Sequence, residues 1–107
     1  MAHYMIQASY TAEAWSRLIK SPQDRGQAIR PIIEKLDGKL VSFYNSFGEY
    51  DVVVIAQVPN NVSAAALSLA AVAGGALKGI RTTPLMTAEE GMEAMRKAAA
   101  AGYRPPG

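Results

Sequence analysis

The sequence predicts an α+β domain whose elements follow the order β-α-β-β-α-β, with an extra helix at the C-terminal end. Polarity alternates from His3 to Tyr10, as in a strand. Capped segments with apolar residues at helical spacing predict the helices. Two strand-forming runs meet at Gly48-Glu49 and predict a hairpin. This order is typical of the ferredoxin-like arrangement, in which a four-stranded antiparallel sheet carries helices on one face.

Helix boundaries in the first half of the chain are predicted from capping residues. Thr11 follows the first strand and is expected to cap a short helix. The sequence SPQD then places Ser21 as an N-cap, Pro22 at the first helical position and Asp24 three residues after the cap. A second helix should therefore start at Pro22 and end at Gly38.

The hairpin and the next helix follow directly. Lys39 to Phe47 and Asp51 to Val58 are rich in residues that favour strands. Pro59-Asn60-Asn61 is expected to end the third strand and to cap a helix from Val62 to Ala73. One stripe of that helix is expected to face the sheet: Ala65, Ala66, Leu69 and Val72.

The last part of the chain is predicted to form an edge strand and a final helix. Leu77 to Met86 has strand composition, and Pro84 within it suits an edge position because proline cannot donate a ladder hydrogen bond. Thr87 and Glu90 form a capping box that opens the final helix. Residues 101–107 are expected to be a flexible tail.

The sheet is predicted to be apolar on both faces. The strands of an antiparallel sheet with one solvent-exposed face should alternate apolar and polar residues. The third strand instead has apolar side chains on both of its faces. In the second strand, Leu40 and Tyr44 are expected to oppose Val41, Phe43 and Phe47. Because the helices cover only one face, we expect a second copy to pack sheet to sheet, giving a homodimer or higher homo-oligomer.

Composition excludes several classes of function. The 107 residues suit a single domain spanning 1–107, and the net charge of +2 with dispersed basic residues does not suggest a nucleic-acid partner. There is no cysteine, which excludes disulfides and thiolate sites and fits a cytoplasmic location. The N-terminus lacks the features of a signal peptide. No apolar helical run is long enough to predict a membrane span.

The element Gly48-Glu49-Tyr50-Asp51, followed by VVVIAQV, resembles the signature of the GYD family of small bacterial proteins. The stretches from Tyr10 to Arg25 and from Arg81 to Thr87 also resemble that family, as does the whole hairpin. The resemblance implies the dimeric α/β-barrel version of the ferredoxin-like fold and no particular mechanism. A similar hairpin occurs in the ligand-sensing domains of Lrp/AsnC-type regulators. The chain shows no helix-turn-helix domain, so a regulator role is not expected.

A ligand cleft between helices and sheet is the first candidate site. Six residues are candidates for lining it: Trp15, Tyr44, Asn45, Tyr50, Asp51 and Arg81. Each has a structural interpretation that we favour. Asp51 at a strand boundary commonly completes a turn, Arg81 can pair with a carboxylate or reach solvent, and most aromatic residues belong to cores. Arg25, just inside a helix start, is expected at the surface.

Catalytic candidates are fewer. His3, Tyr44 and Asp51 could each supply one acid-base group. His3 is the only histidine, and no metal-ligand spacing, phosphate loop or dinucleotide fingerprint is present, so neither a metal nor a cofactor is expected.

Three functions remain open. The first is a homodimeric module that binds a small molecule. The second is a cofactor-free enzyme of the monooxygenase or isomerase type, acting on a small aromatic or carbonyl compound, which is an analogy at the level of the fold. The third is a purely structural oligomer subunit. We rank the binding module first because the sequence offers no convincing pair of titratable residues.

Overall fold

The computed structural model describes all residues, 1–107, and confirms the predicted order of elements. The elements are β1 (Ala2–Tyr10), α1 (Ala12–Lys20), α2 (Arg25–Lys35), β2 (Lys39–Asn45), β3 (Val52–Val58), α3 (Asn61–Ala73), β4 (Leu77–Leu85) and α4 (Ala88–Ala101). All strand pairs are antiparallel, in the order β2-β3-β1-β4. The fold is therefore α+β and ferredoxin-like, and Pro84 lies in an edge strand as predicted.

The core lies between the sheet and the helices. Alternate residues of the central strands β1 and β3 are buried on this face and pair across the ladder, as Tyr4 with Ala56 and Ile6 with Val54. Ile33 of α2 and Leu67 of α3 pack against them and are 0% and 2% exposed. Their burial supplies the main stabilisation of the domain.

Capping residues define most helix starts. The side chains of Thr11 and Asn60 accept a backbone N–H of the helix that follows, and Thr87 with Glu90 forms the predicted capping box. The predicted start of α2 is wrong. Asp24 caps α2, accepting from the amide of Gln27 at 3.2 Å.

Ser21 instead ends α1, because its own amide donates to the carbonyl of Arg17 at 2.9 Å. Its φ of −138° and ψ of 78° lie outside the helical region, which a following proline disfavours. Residues 22–24 therefore form a short connection between the two helices.

The predicted inward stripe of α3 is also wrong. Ala64 and Leu67 are the buried residues of this helix, whereas Leu69 is 70% exposed. Since α3 is apolar on almost every side, hydrophobic periodicity does not identify its inner face. The inward side is set by contact with β3 and β4.

A β-bulge changes the predicted faces of β2. Leu40 pairs with Ala56 and Ser42 with Ile55, so Val41 is the extra residue. Beyond the bulge, Phe43 joins Leu40 on the helix-covered face, while Tyr44 pairs with Val53 and lies on the opposite face. The strict alternation expected for this strand fails for that reason.

The opposite face of the sheet, here called the open face, is apolar in its centre. The ladder places Met5 and Ile55 side by side there, next to Val53. Around them lie mostly polar open-face side chains, among them His3, Gln7, Ser42, Gln57, Arg81 and Thr83, together with Tyr44. Helices α1 to α3 contribute to the core on the other face. The second face of the sheet is therefore apolar in its centre, as predicted, but not across its whole width.

Helix α4 extends away from the sheet. It has no buried residue, and Met92 and Met95 are 51% and 71% exposed. The Cα radius of gyration is 17.0 Å, whereas a compact chain of this length has about 13 Å. None of the helices combines the length and the apolar character that crossing a membrane requires.

Candidate functional site

The Gly48–Asp51 turn is anchored to β1. Gly48 has a φ of 145°, which side-chain-bearing residues rarely adopt. The amide of Asp51 donates to the carbonyl of Ala8 at 2.8 Å, and Ser9 Oγ donates to the carbonyl of Glu49 at 2.7 Å. These bonds fix the turn beside the end of β1.

The carboxylate of Asp51 holds the junction between β1 and α1. Its Oδ2 accepts the backbone amide of Tyr10 at 2.9 Å and Nε1 of Trp15 at 3.2 Å. The Trp15 ring packs edge to face on the ring of Tyr10, with centroids 5.3 Å apart. Asp51 thus accepts an amide, as its structural interpretation expects, but the amide belongs to Tyr10 rather than to the turn.

An apolar cleft of about 320 Å³ lies between α2, α3 and the helix-covered face of the sheet. Its α2 wall consists of Arg25, Ala28, Ile29 and Ile32, and its α3 wall of Leu67, Ala70, Ala71 and Gly74. Its floor and end are formed by Ile6, Ala8, Tyr10, Phe43, Val52, Val54, Ala76, Leu77 and Ile80. Both walls repeat with helical spacing, so each helix presents one continuous stripe to the cleft.

The cleft exists because the two helices lie over different edges of the sheet. Helix α2 packs on β2, whereas α3 packs mainly on β4. A gap therefore remains between the two helices, above floor residues of the central strands that are themselves buried. The small residues Ala70, Ala71 and Gly74 on the α3 wall do not fill the gap.

Tyr10 and Arg25 bring polar groups to this cleft. Arg25 is exposed and is the only charged lining residue, so its guanidinium belongs to the rim. Burial raises the pKa of the Tyr10 hydroxyl; the nearby Arg25 guanidinium opposes this rise, and the Asp51 carboxylate adds to it. The ion pairs of the protein are Arg17–Glu13 and Lys97–Glu93, and no carboxylate lies within 4.0 Å of the Arg25 guanidinium.

The six residues predicted to line a cleft lie elsewhere. Trp15 and Asp51 adjoin it through Tyr10, and Tyr50 lies in the turn, where its carbonyl accepts from Ser46 Oγ at 2.8 Å. The remaining three lie outside the cleft: Tyr44 and Arg81 on the open face, and Asn45, exposed, at the end of β2.

The three catalytic candidates do not form one cluster. His3 pairs with Gln57 at one end of β1, whereas Asp51 bonds to Ala8 near the other end. These positions on β1 are five residues apart, about 17 Å along a strand. Tyr44 is exposed on edge strand β2.

Sequence reasoning missed Arg25 as a site residue. A usable signal exists for Arg25, since Arg25, Ala28, Ile29 and Ile32 follow the i, i+3, i+4, i+7 pattern of one helix face. A charged residue at the start of an otherwise apolar stripe indicates the end of a buried surface. Its surface location was expected, and the structure adds that it borders the cleft.

Comparison with known proteins supports the fold. The family model "GYD domain" matches residues 4–95. No curated protein matches the chain.

Among solved structures, MtbAldR is 12% identical with a TM-score of 0.58, and the match covers 80% of this chain and 53% of that one. An AsnC family transcriptional regulator from Agrobacterium tumefaciens is 13% identical with a TM-score of 0.51, covering 80% and 50%. FFRP-DM1 is 14% identical with a TM-score of 0.50, covering 80% and 100%. The chain thus spans about half the length of the first two proteins, and at these identities the likeness concerns the fold.

Proposed function

This chain belongs to the GYD domain family, and we propose that it serves as a homodimeric module that binds a small molecule in the cleft between α2, α3 and the sheet. The cleft itself is the observation that carries the proposal. Its 320 Å³ falls within the roughly 300–1,000 Å³ of small-molecule sites, and it combines an apolar lining with few polar groups.

The energetics of the fold favour an occupant. The walls of the cleft leave apolar residues such as Ala28, Ile32 and Ala70 exposed, whereas the floor residues of the central strands are already buried. Covering apolar surface stabilises the folded state by roughly 25 cal/mol per Å². A ligand that fills the cleft therefore gains binding energy from surface that the chain leaves partly uncovered.

The lining favours binding over catalysis. Neither a carboxylate nor a histidine is among the residues that line the cleft. We assign Asp51 and Trp15 the role of positioning Tyr10, through the two hydrogen bonds to Asp51 Oδ2 and the edge-to-face contact.

Homodimerisation is proposed from the open face. Met5, Val53 and Ile55 present an apolar surface that α1 to α3 do not cover. Packing against the same face of a second copy would bury it in an isologous interface. We place the protein in the cytoplasm, which suits a chain without cysteine.

Native mass spectrometry of freshly purified protein tests the binding function, together with an NMR titration with the neutral probe 3-phenylpropan-1-ol. We expect a retained compound or probe-induced shifts of cleft amides. Ala71→Trp should fill the α3 wall and abolish both, whereas Ala65→Trp, on an exposed part of the same helix, should preserve them. Repeated preparations without a compound, together with no probe shifts, would overturn the proposal.

A further inference from the structure

We infer that the ligand of the cleft is an amphipathic monoanion, with an apolar body inside the cleft and one carboxylate held at the rim by Arg25. This inference rests on the proposed binding function and names its ligand class. No other lining residue is charged, so the cleft has a single point that distinguishes a charged ligand from a neutral one.

The guanidinium of Arg25 is available to such a group. Its Nη1 donates to Oε1 of Gln23 at 2.8 Å, and no carboxylate lies within 4.0 Å. A guanidinium has five N–H donors, so most remain free for a ligand. The nearby carboxylate of Asp24 already accepts the amide of Gln27 as the N-cap of α2. Arginine binds carboxylates through two parallel hydrogen bonds, which favours this headgroup.

Tyr10 supplies a second donor from deeper in the cleft. Its hydroxyl is close enough to Arg25 for the guanidinium to affect its pKa. The Tyr10 backbone amide and the Trp15 ring that packs on Tyr10 are both bound to Asp51, so the ring is held in place. At neutral pH the hydroxyl is protonated and can donate, since its ordinary pKa of 10.0 lies well above pH 7 and burial raises this pKa further. An anion at the rim would therefore meet donors from two elements, α2 and β1.

The remaining lining limits the size and charge of the ligand. The volume of 320 Å³ equals that of about ten water molecules at roughly 30 Å³ each, so the apolar body has on the order of ten heavy atoms. No lining side chain carries a negative charge that could pair with an ammonium group, and the Asp51 carboxylate already accepts two donors. The lining therefore favours aromatic or medium-chain carboxylic acids over amines and amino acids.

A pair of matched probes tests this inference. The chain is titrated with 3-phenylpropanoate and with 3-phenylpropan-1-ol while the amide resonances of cleft residues are followed by NMR. The two probes share the apolar body and differ in the headgroup. We expect the acid to bind at least tenfold more tightly. Arg25→Gln should remove that preference by weakening binding of the acid at least tenfold more than binding of the alcohol, and its dispersed amide spectrum would show that the variant is folded.

Arg30→Gln is the control, since it removes the same charge from an exposed position of α2 outside the cleft. It should retain the preference for the acid. Equal affinities of the native chain for acid and alcohol, or an unchanged preference in Arg25→Gln, would overturn the ligand class and leave the binding function standing. If neither probe shifts the cleft resonances at millimolar concentration, both proposals are wrong.

Discussion

Asp51 joins β1, α1 and the turn before β3 through three hydrogen bonds. Its Oδ2 accepts donors from β1 and α1, and its backbone amide binds Ala8. Asp51→Ala would leave the amide of Tyr10 and Nε1 of Trp15 without a protein acceptor. Since unpaired, partly buried donors are costly, we expect a loss of about 2 kcal/mol in the free energy of unfolding.

Urea unfolding followed by Trp15 fluorescence measures this loss. Glu49→Ala is the control, because the Glu49 side chain is exposed and only its backbone carbonyl accepts a hydrogen bond. An Asp51→Ala variant as stable as Glu49→Ala would show that these bonds contribute nothing measurable.

Tyr10 makes stability depend on pH in the alkaline range. Burial raises the pKa of its hydroxyl above the value of 10.0 expected for an unfolded chain, so the folded chain holds this proton more tightly. The contribution of the hydroxyl is complete below about pH 10 and is lost as pH rises through the folded-state pKa. Compared with Tyr10→Phe, the native chain should lose more stability as pH rises above 10.

Urea midpoints of the two proteins at stepwise increasing pH measure this effect. Tyr103→Phe, which removes a hydroxyl from an exposed position near the C-terminus, corrects for general alkaline destabilisation. A stability difference between native chain and Tyr10→Phe that stays constant across the range would contradict the assignment.

Among the elements, α3 gives the clearest prediction. Leu67 and Leu69 are chemically identical, but Leu67 is 2% exposed and Leu69 70% exposed. We expect Leu67→Ala to destabilise the fold by about 3 kcal/mol, because it leaves a cavity in the core. Leu69→Ala should change stability by less than about 0.5 kcal/mol. Thermal and urea unfolding of the two variants compares them, and equal losses would mean that α3 is rotated from its described orientation.

The elements also show which features the sequence can predict. Caps such as Thr11 and Thr87 were correctly predicted because a cap depends on residues within one turn. The inner face of α3 was not, because alanine and leucine occur on nearly all sides of it. The bulge at Val41 was not predicted for a similar reason. Apolar residues near it lie on both faces of the strand, so the sequence pattern does not show where the alternation shifts.

The cleft depends on a property that no single element carries. Sequence reasoning predicted an apolar space between helices and sheet, and a cleft is present there. Its lining residues could not be predicted, because they follow from the separation of α2 and α3 over different edges of the sheet. Arg25 looks like an ordinary surface residue until the neighbouring helix is known to stand apart from it.

For the whole molecule, two unpartnered features point to assembly. The open face is apolar in its centre, and α4 extends from the domain so that the longest dimension reaches 57 Å. An isolated chain would expose both to water, and exposed apolar patches of this kind commonly mark interaction surfaces. The open face provides the more specific test, since the ladder fixes which side chains lie at its centre.

Ile55→Asp tests the proposed dimer. Ile55 is on central strand β3 and lies beside Met5 of β1. A carboxylate at position 55 would therefore be buried without a partner in a sheet-to-sheet interface. By sedimentation at micromolar concentration, we expect the native chain at twice its 11.4 kDa and the variant mainly as monomer. Tyr44→Asp, at an exposed position of edge strand β2, should also weaken the dimer with less risk to folding. Val62→Asp should not affect the dimer, because Val62 lies at the start of α3 and is 79% exposed. A folded native chain that sediments as a monomer would show that the open face is stable in water without a second copy.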